Sequence, residues 1–185
     1  MEEKVNNAKI EFETYLKKWV IKDNRILNGI DVGCGTARID DMITSLDQQC
    51  NYEYAHAQFV WDCKNLDLFA DEKLDFIFSS HVLEDFENIP EVFINWWKKL
   101  KKGGLMLLLL PDMENCKCDH CKGDSRYAKV EDGGNPSHRT NVGKKFMTDM
   151  LQSFMEKGDL KYEILQQDSI PHTKSCSIDF VIKKL

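Results

Sequence analysis

The sequence predicts an α/β fold with a mostly parallel sheet and an antiparallel finish, and three observations carry that expectation. Apolar strands alternate with helical stretches over the first two thirds of the chain, the pattern of a parallel sheet with crossover connections. An uninterrupted apolar run, residues 105–110, has the character of a strand buried on both faces. Two later apolar stretches, residues 162–165 and 178–182, have no strong helix between them and so suggest antiparallel pairing.

The elements follow in order. Val5, Ala8, Phe12, Tyr15, Leu16 and Trp19 recur at three- and four-residue steps, which predicts an amphipathic helix within residues 1–25, broken at Asp23-Asn24. Residues 26–30 form a first strand running into Asp31, residues 42–46 a second ending at Asp47, and residues 58–61 a weaker third ending at Asp62-Cys63. Residues 74–78 form a fourth, ending at Ser79-Ser80-His81. Pro90 suits a first helical position, and Val92, Phe93, Trp96, Trp97 and Leu100 give that helix its apolar face, with one tryptophan expected nearer solvent. Gly103-Gly104 stops the helix and launches the apolar fifth strand, which Pro111 ends. Residues 112–141 are polar, without a sustained period, and read as a long substrate-side loop, followed by a helix over 142–157. The stretch from Gly35 to Met42 is too short for a full first crossover helix.

Bulk properties narrow the function. A length of 185 residues suits one domain over 1–185. A net charge of −6 argues against nucleic-acid partners, which need a concentrated basic face; the lysine clusters at 98–102 and 183–184 read as solvated element ends. The charged opening Met1-Glu2-Glu3-Lys4 has no apolar run behind it, so no export signal is expected. No apolar run approaches the ~18 residues of a membrane span. Seven cysteines, an odd count, then point to free thiols in a reducing cytoplasm.

The segment Asp31-Val32-Gly33-Cys34-Gly35-Thr36 lies where the first strand must bend. Glycines there permit unusual backbone angles and let a ligand approach the main chain. A nicotinamide-binding loop would place a third small residue at the position of Arg38, so that reading is disfavoured. An acidic residue, a spacer and Gly-x-Gly resembles motif I of the class I S-adenosylmethionine (SAM) methyltransferases. Phe76-Ile77-Phe78-Ser79-Ser80-His81-Val82-Leu83-Glu84-Asp85-Phe86 is similar to the strand-four motif of the methyltransferase type 11 group, with Asp85 where histidine is frequent. Trp97-Lys98-Lys99-Leu100-Lys101-Lys102-Gly103-Gly104 resembles that group's turn into strand five, with Lys102 where proline is usual. The resemblance covers roughly residues 29–112 and implies a Rossmann-like class I methyltransferase fold: a mostly parallel seven-stranded sheet with an antiparallel C-terminal strand, and SAM as cofactor.

If the ligand is SAM, each strand end has a task. Asp47 would accept both ribose hydroxyls and Asp62 the adenine amino group. Asp31 and the backbone of Gly33, Cys34 and Gly35 would face the cationic methionine end, with Cys63, Ser79 and Ser80 completing the crevice. Asp and Ser are also ordinary turn residues; their coincidence at consecutive strand ends is what points to a shared ligand. The Asn/Asp-Pro-Pro-Tyr/Phe turn of amino-methylating enzymes is absent at Ser79-Ser80-His81-Val82, which disfavours nucleobase amines as acceptors.

Beyond the fifth strand, His138 could serve as general base for a hydroxyl acceptor, and Arg139 could hold a substrate anion; a plain Gly-Asn-Pro turn with a solvent-facing histidine explains the same residues. His81 lies nearer the cofactor and would position rather than deprotonate, while His56 and His172 have no functional context. Cys116-Lys117-Cys118-Asp119-His120-Cys121 has zinc-like ligands in one cluster, but without a second pair no metal is assigned. The expectation is a SAM-dependent methyltransferase acting on a small-molecule or saccharide-linked acceptor, at oxygen. The alternatives are a non-catalytic binding or scaffold protein on the same fold, or a nicotinamide oxidoreductase.

Overall fold

Burial on both faces of the central strands sets the architecture. The computed structural model describes residues 7–35, 38–48, 57–114, 129–132, 135–171 and 176–185. The chain opens with α1 (Asn7–Glu11), a π-helical turn (Phe12–Leu16) and α2 (Lys17–Val20), then a small hairpin of β1 (Ile21–Lys22) and β2 (Arg25–Ile26). β3 (Gly29–Val32), β4 (Thr44–Asp47), β5 (Phe59–Val60) and β6 (Leu74–Ser80) follow. The remainder is α3 (Ile89–Lys99), β7 (Leu100–Pro111), α4 (Lys144–Lys157), β8 (Tyr162–Pro171) and β9 (Cys176–Lys184).

The main sheet has seven strands in the order β5-β4-β3-β6-β7-β9-β8, with β3 to β7 parallel and β9 antiparallel to both its neighbours. Strand order reverses between β3 and β6, and at such a switch point the carboxyl ends of the strands splay to leave a crevice. Along β6 and β7 the side chains alternate between two cores. Phe76, Phe78, Leu105, Leu107 and Leu109 meet Phe12, Leu16 and Val20 from the N-terminal helical segment. Ile77, Met106, Leu108 and Leu110 meet Val92, Phe93 and Trp96 of α3, and Met147, Leu151 and Phe154 of α4. An unbroken apolar run is what a period-two strand needs when both of its faces are covered.

Several expected boundaries move, for local reasons. The N-terminal helix is divided by its π turn and ends at Val20. Asp23 (φ 50°) and Asn24 (φ 60°) both sit in the left-handed region, the geometry of a tight two-residue hairpin, so β2 ends at Ile26 and the first sheet strand starts only at Gly29. The strand expected over 42–46 starts at Thr44, because Asp40 Oδ1 accepts the Met42 N–H (2.9 Å) and the Asp40 carbonyl accepts that of Ile43 (3.2 Å). Between β3 and β4 the described residues form no helix; Ile39 and Ile43 cover the sheet instead. β8 and β9 are longer than expected. Neither tryptophan of α3 faces solvent: Trp96 is fully buried, and Trp97 stacks on Phe93 with centroids 5.7 Å apart.

Trp96 ties this core to the strand ends, because its Nε1–H donates to the Cys63 carbonyl at 2.7 Å. Trp96→Phe keeps an aromatic ring but leaves that buried carbonyl without its donor. Urea unfolding should show a loss of about 1–3 kcal/mol, the scale of an unsatisfied buried polar group; an unchanged midpoint would show that the bond contributes nothing.

Candidate functional site

The crevice begins where β3 ends. Gly33 (φ +73°) and Gly35 (φ +57°) both take left-handed backbone angles. A Cβ on Gly33 would lie 2.1 Å from Val82 Cγ2, so the loop after β3 and the turn after β6 are in direct contact. The Gly33 and Cys34 amides donate to the Leu46 carbonyl (2.8 and 3.2 Å), and the Gly35 amide donates to Asp47 Oδ2 at 2.9 Å. The glycine loop is thus bound to the end of β4 and orients the Asp47 carboxylate.

A cleft of about 590 Å³ opens beside this loop, within the usual range of small-molecule sites. Gly33, Gly35, Asp47, Asp62 and Cys63 line it, and with them His81, Val82, Asp85 and Phe86 from the turn after β6. Asp62 lies just past β5, with Oδ1 accepting from the Lys64 amide (2.8 Å) and Oδ2 from the Asn65 side chain (2.7 Å). Lys64, also on the wall, pairs with Glu91 at 3.0 Å. A wall bearing Asp47, Asp62 and Asp85 favours a ligand that carries positive charge.

Other expected site residues lie behind that wall. Asp31 is only 2% exposed, and its Oδ2 accepts the Ile39 amide at 3.2 Å. Burial pushes its carboxyl up to about 7, against the Ile39 hydrogen bond and with a smaller push from Asp47. Ser79 is buried, with an Oγ that has no partner among the described residues, and Ser80 is half-buried beside it in β6. Burial raises both the Cys34 and Cys63 thiols to about 12, with help from nearby carboxylates. Both stay protonated near neutrality and cannot act as nucleophiles.

The two candidate histidines are brought together by a residue to which the sequence assigned no role. Glu84 is fully buried, and neither carboxylate oxygen has a hydrogen-bond partner among the described residues. Its Oε1 lies 3.5 Å from His81 Nδ1 and 3.7 Å from His138 Nε2. His81, held at φ +54°, forms part of the cleft wall, and its Nε2 lies 3.0 Å from Ser177 Oγ. His138 is 5% exposed, so it is neither a solvent-facing turn residue nor part of the wall. Burial lowers its pKa, opposed by Glu84 and reinforced by His81.

The Asn-Pro turn does form: Asn135 Oδ1 accepts the Ser137 amide (3.1 Å), and the Asn135 carbonyl accepts that of His138 (3.0 Å). The Arg139 and Thr140 amides then donate to the Glu84 carbonyl (2.8 and 3.1 Å), docking this loop on the turn after β6. Arg139 itself is exposed, close enough to Asp85 to favour its charged form. Glu84 and Asp85 were the missed residues. Their signal was an adjacent pair of acids just beyond the fourth strand, inside the motif that resembles the type 11 group.

Among the described residues no cluster of His, Cys, Asp and Glu could hold a metal, and no helix is long and apolar enough to cross a membrane. The 116–121 cysteine cluster, His56 and His172 lie outside the described residues. A second cavity, about 650 Å³, lies at the far end of the sheet between Trp97, Lys98, Leu160 and Lys161. The amine of its Lys184 is occupied by the Trp97 and Leu100 carbonyls (3.1 and 2.7 Å), and no carboxylate–glycine arrangement accompanies it.

Known proteins share this architecture. The methyltransferase-domain family matches residues 30–108. A SAM-dependent methyltransferase from Aquifex aeolicus superposes with a TM-score of 0.62 at 12% identity, covering 97% of this chain and 94% of that one. One from Archaeoglobus fulgidus gives 0.61 at 14% identity, covering 95% and 92%. A third, from Mesorhizobium loti, gives 0.60 at 12% identity, covering 90% and 95%. No curated protein matches the chain. With its strand order, its glycine-cornered cleft and a methyltransferase-domain match over residues 30–108, the chain has the Rossmann-like fold of the class I methyltransferases.

Proposed function

We propose that the protein is a SAM-dependent methyltransferase, working as one domain over residues 1–185 in a reducing cytoplasm, and that it methylates a small-molecule or saccharide-linked acceptor at oxygen. The observation that carries this reading is the Asp47 carboxylate, oriented by the Gly35 amide at 2.9 Å on the wall of an acidic cleft. When bound, SAM supplies a methyl group on a positively charged sulfur. The chain's part is to hold, orient and exclude water. Asp47 accepts the ribose hydroxyls and Asp62 the adenine amino group. The bends at Gly33 and Gly35 let the cofactor's amino-acid end approach the backbone beside Cys34, while Cys63, Ser79 and Ser80 support the floor.

His81, also on the cleft wall, faces the acceptor, held by Glu84 and Ser177. His138 acts through Glu84 rather than by touching the acceptor, since its ring is buried. Arg139, on the exposed rim, grips an anionic group on larger acceptors. Methyl transfer needs little covalent help from a protein, and alignment of acceptor, methyl carbon and sulfur supplies much of the acceleration.

Isothermal titration tests the cofactor assignment directly. S-adenosylhomocysteine should bind the parent protein, and Asp47→Ala should weaken it by about 1.5–3 kcal/mol, the scale of hydrogen bonds to a charged group. Equal affinity in the two proteins removes Asp47 from the ribose site.

Asp31 gives a separate test through stability. Its carboxyl is raised to about 7 in the fold from an ordinary 3.8, so between those values the native state holds a proton that the unfolded chain has released. Stability should therefore fall as pH rises through about 4 to 7 and level off above. Denaturant titrations at a series of pH values should show this decline in the parent and a flatter curve in Asp31→Asn. A parent curve that rises over that interval would contradict the buried, protonated state.

A further inference from the structure

Methylation at oxygen calls for a group in the cleft that can receive the acceptor's proton, and the described residues leave one candidate. Asp47 and Asp62 serve the cofactor's ribose and adenine in the reading above, and each also accepts backbone or side-chain donors of its own loop. His81 has Nε2 against Ser177 and Nδ1 against Glu84, while Glu84 and His138 lie behind the wall. Cys34 and Cys63 keep their protons. Asp85 differs from all of these. It lines the cleft, and its Oδ1 is shielded from bulk water without a hydrogen-bond partner among the described residues.

We propose that Asp85 is the catalytic base, accepting a hydrogen bond from the acceptor hydroxyl and taking its proton during methyl transfer. The proposal rests on the methyltransferase reading above. The acceptor oxygen forms its bond to the methyl carbon as the carbon–sulfur bond breaks, with the electron pair left on sulfur. The hydroxyl proton passes to a carboxylate oxygen of Asp85 and leaves to solvent when product departs.

The surroundings suit this task. The Asp85 carboxyl is raised to about 6, by burial first and then by the neighbouring Glu84 charge, while the Ser137 hydroxyl, His81 and Arg139 act in the opposite direction. These groups come from the turn after β6 and from the loop docked against it, so both elements set the basicity. A carboxylate with a pKa near 6 is still mostly ionised at neutral pH, and a stronger base than an ordinary aspartate. Asp85 also selects its ligand: its carboxylate accepts a hydroxyl donor, whereas another carboxylate there would be repelled.

The test uses full-length protein labelled with ¹³C at aspartate carboxyls and saturated with S-adenosylhomocysteine. Catechol, tyramine and methyl glucoside serve as hydroxyl probes, with benzoate as the anionic control. The Asp85 signal, assigned by its loss in Asp85→Asn, should titrate near pH 6 and shift with at least one hydroxyl probe, but not with benzoate. Asp85→Asn should keep S-adenosylhomocysteine affinity within about twofold and lose at least tenfold in affinity for that probe. Asp85→Glu should retain part of the probe affinity and a rising pH dependence of methyl transfer to it. A signal unmoved by all three hydroxyl probes, or equal probe affinity in Asp85→Asn, overturns the assignment of Asp85. Failure of the parent to bind S-adenosylhomocysteine at all overturns the methyltransferase reading itself, which separates the two failures.

Discussion

The central strands β6 and β7 are apolar on both sides, and the rest of the molecule is arranged around covering them. Phe76 and Phe78 point one way and Ile77 the other; Leu105, Leu107 and Leu109 oppose Met106, Leu108 and Leu110 in the same fashion. A sheet of this kind is unstable unless two separate layers close over it. α3 and α4 supply one layer. The other is assembled from the N-terminal helical segment with Ile39 and Ile43, because no helix forms among the described residues between β3 and β4. With both faces sealed, the carboxyl ends of the strands are where a ligand can be admitted.

Those ends concentrate carboxylates that a purely structural sheet would avoid. Asp31, Asp47 and Glu84 are each less than a tenth exposed, and Asp85 keeps one shielded oxygen without a partner. Burying an acid without full hydrogen bonding is unfavourable, and the group responds by holding its proton longer. Asp31 at about 7 and Asp85 at about 6 both show that response. Perturbed acids gathered around one cleft are the pattern expected of a functional site rather than of packing. A cationic ligand would relieve part of this unfavourable energy.

How much of this was legible in the sequence depends on the range of each interaction. Gly33, Gly35, Asp47 and Asp62 could be read directly, because a strand end and the turn after it are local patterns. The short connection after Gly35 and the doubly buried fifth strand were legible for the same reason. His138 was not: its burial depends on the Arg139 and Thr140 amides reaching the Glu84 carbonyl, a contact across more than fifty positions that no periodicity encodes. The hairpin at Asp23-Asn24 was visible only as a break, since left-handed angles at two successive residues are a backbone property. Glu84 and Asp85 sat in plain view inside a recognised motif, yet one points inward between two histidines and the other into the cleft. Orientation of that kind is decided by a single 3-10 turn, not by composition.

The contact between Gly33 and Val82 joins the two halves of the cleft. Any side chain at position 33 would collide with Val82, so the loop that would meet the cofactor packs directly on the turn that carries His81, Glu84 and Asp85. His81 occupies a left-handed conformation that a non-glycine residue adopts at a cost, and it persists there because Ser177, Glu84 and the Leu109 carbonyl hold its side chain and backbone. The loop at 135–140 then rests on the Glu84 carbonyl. Any displacement of the glycine loop would therefore press on the turn carrying Asp85 through packed atoms. The glycine loop and the turn that carries His81 and Asp85 are packed against one another, the arrangement that an in-line transfer from a cofactor on one to an acceptor on the other would require.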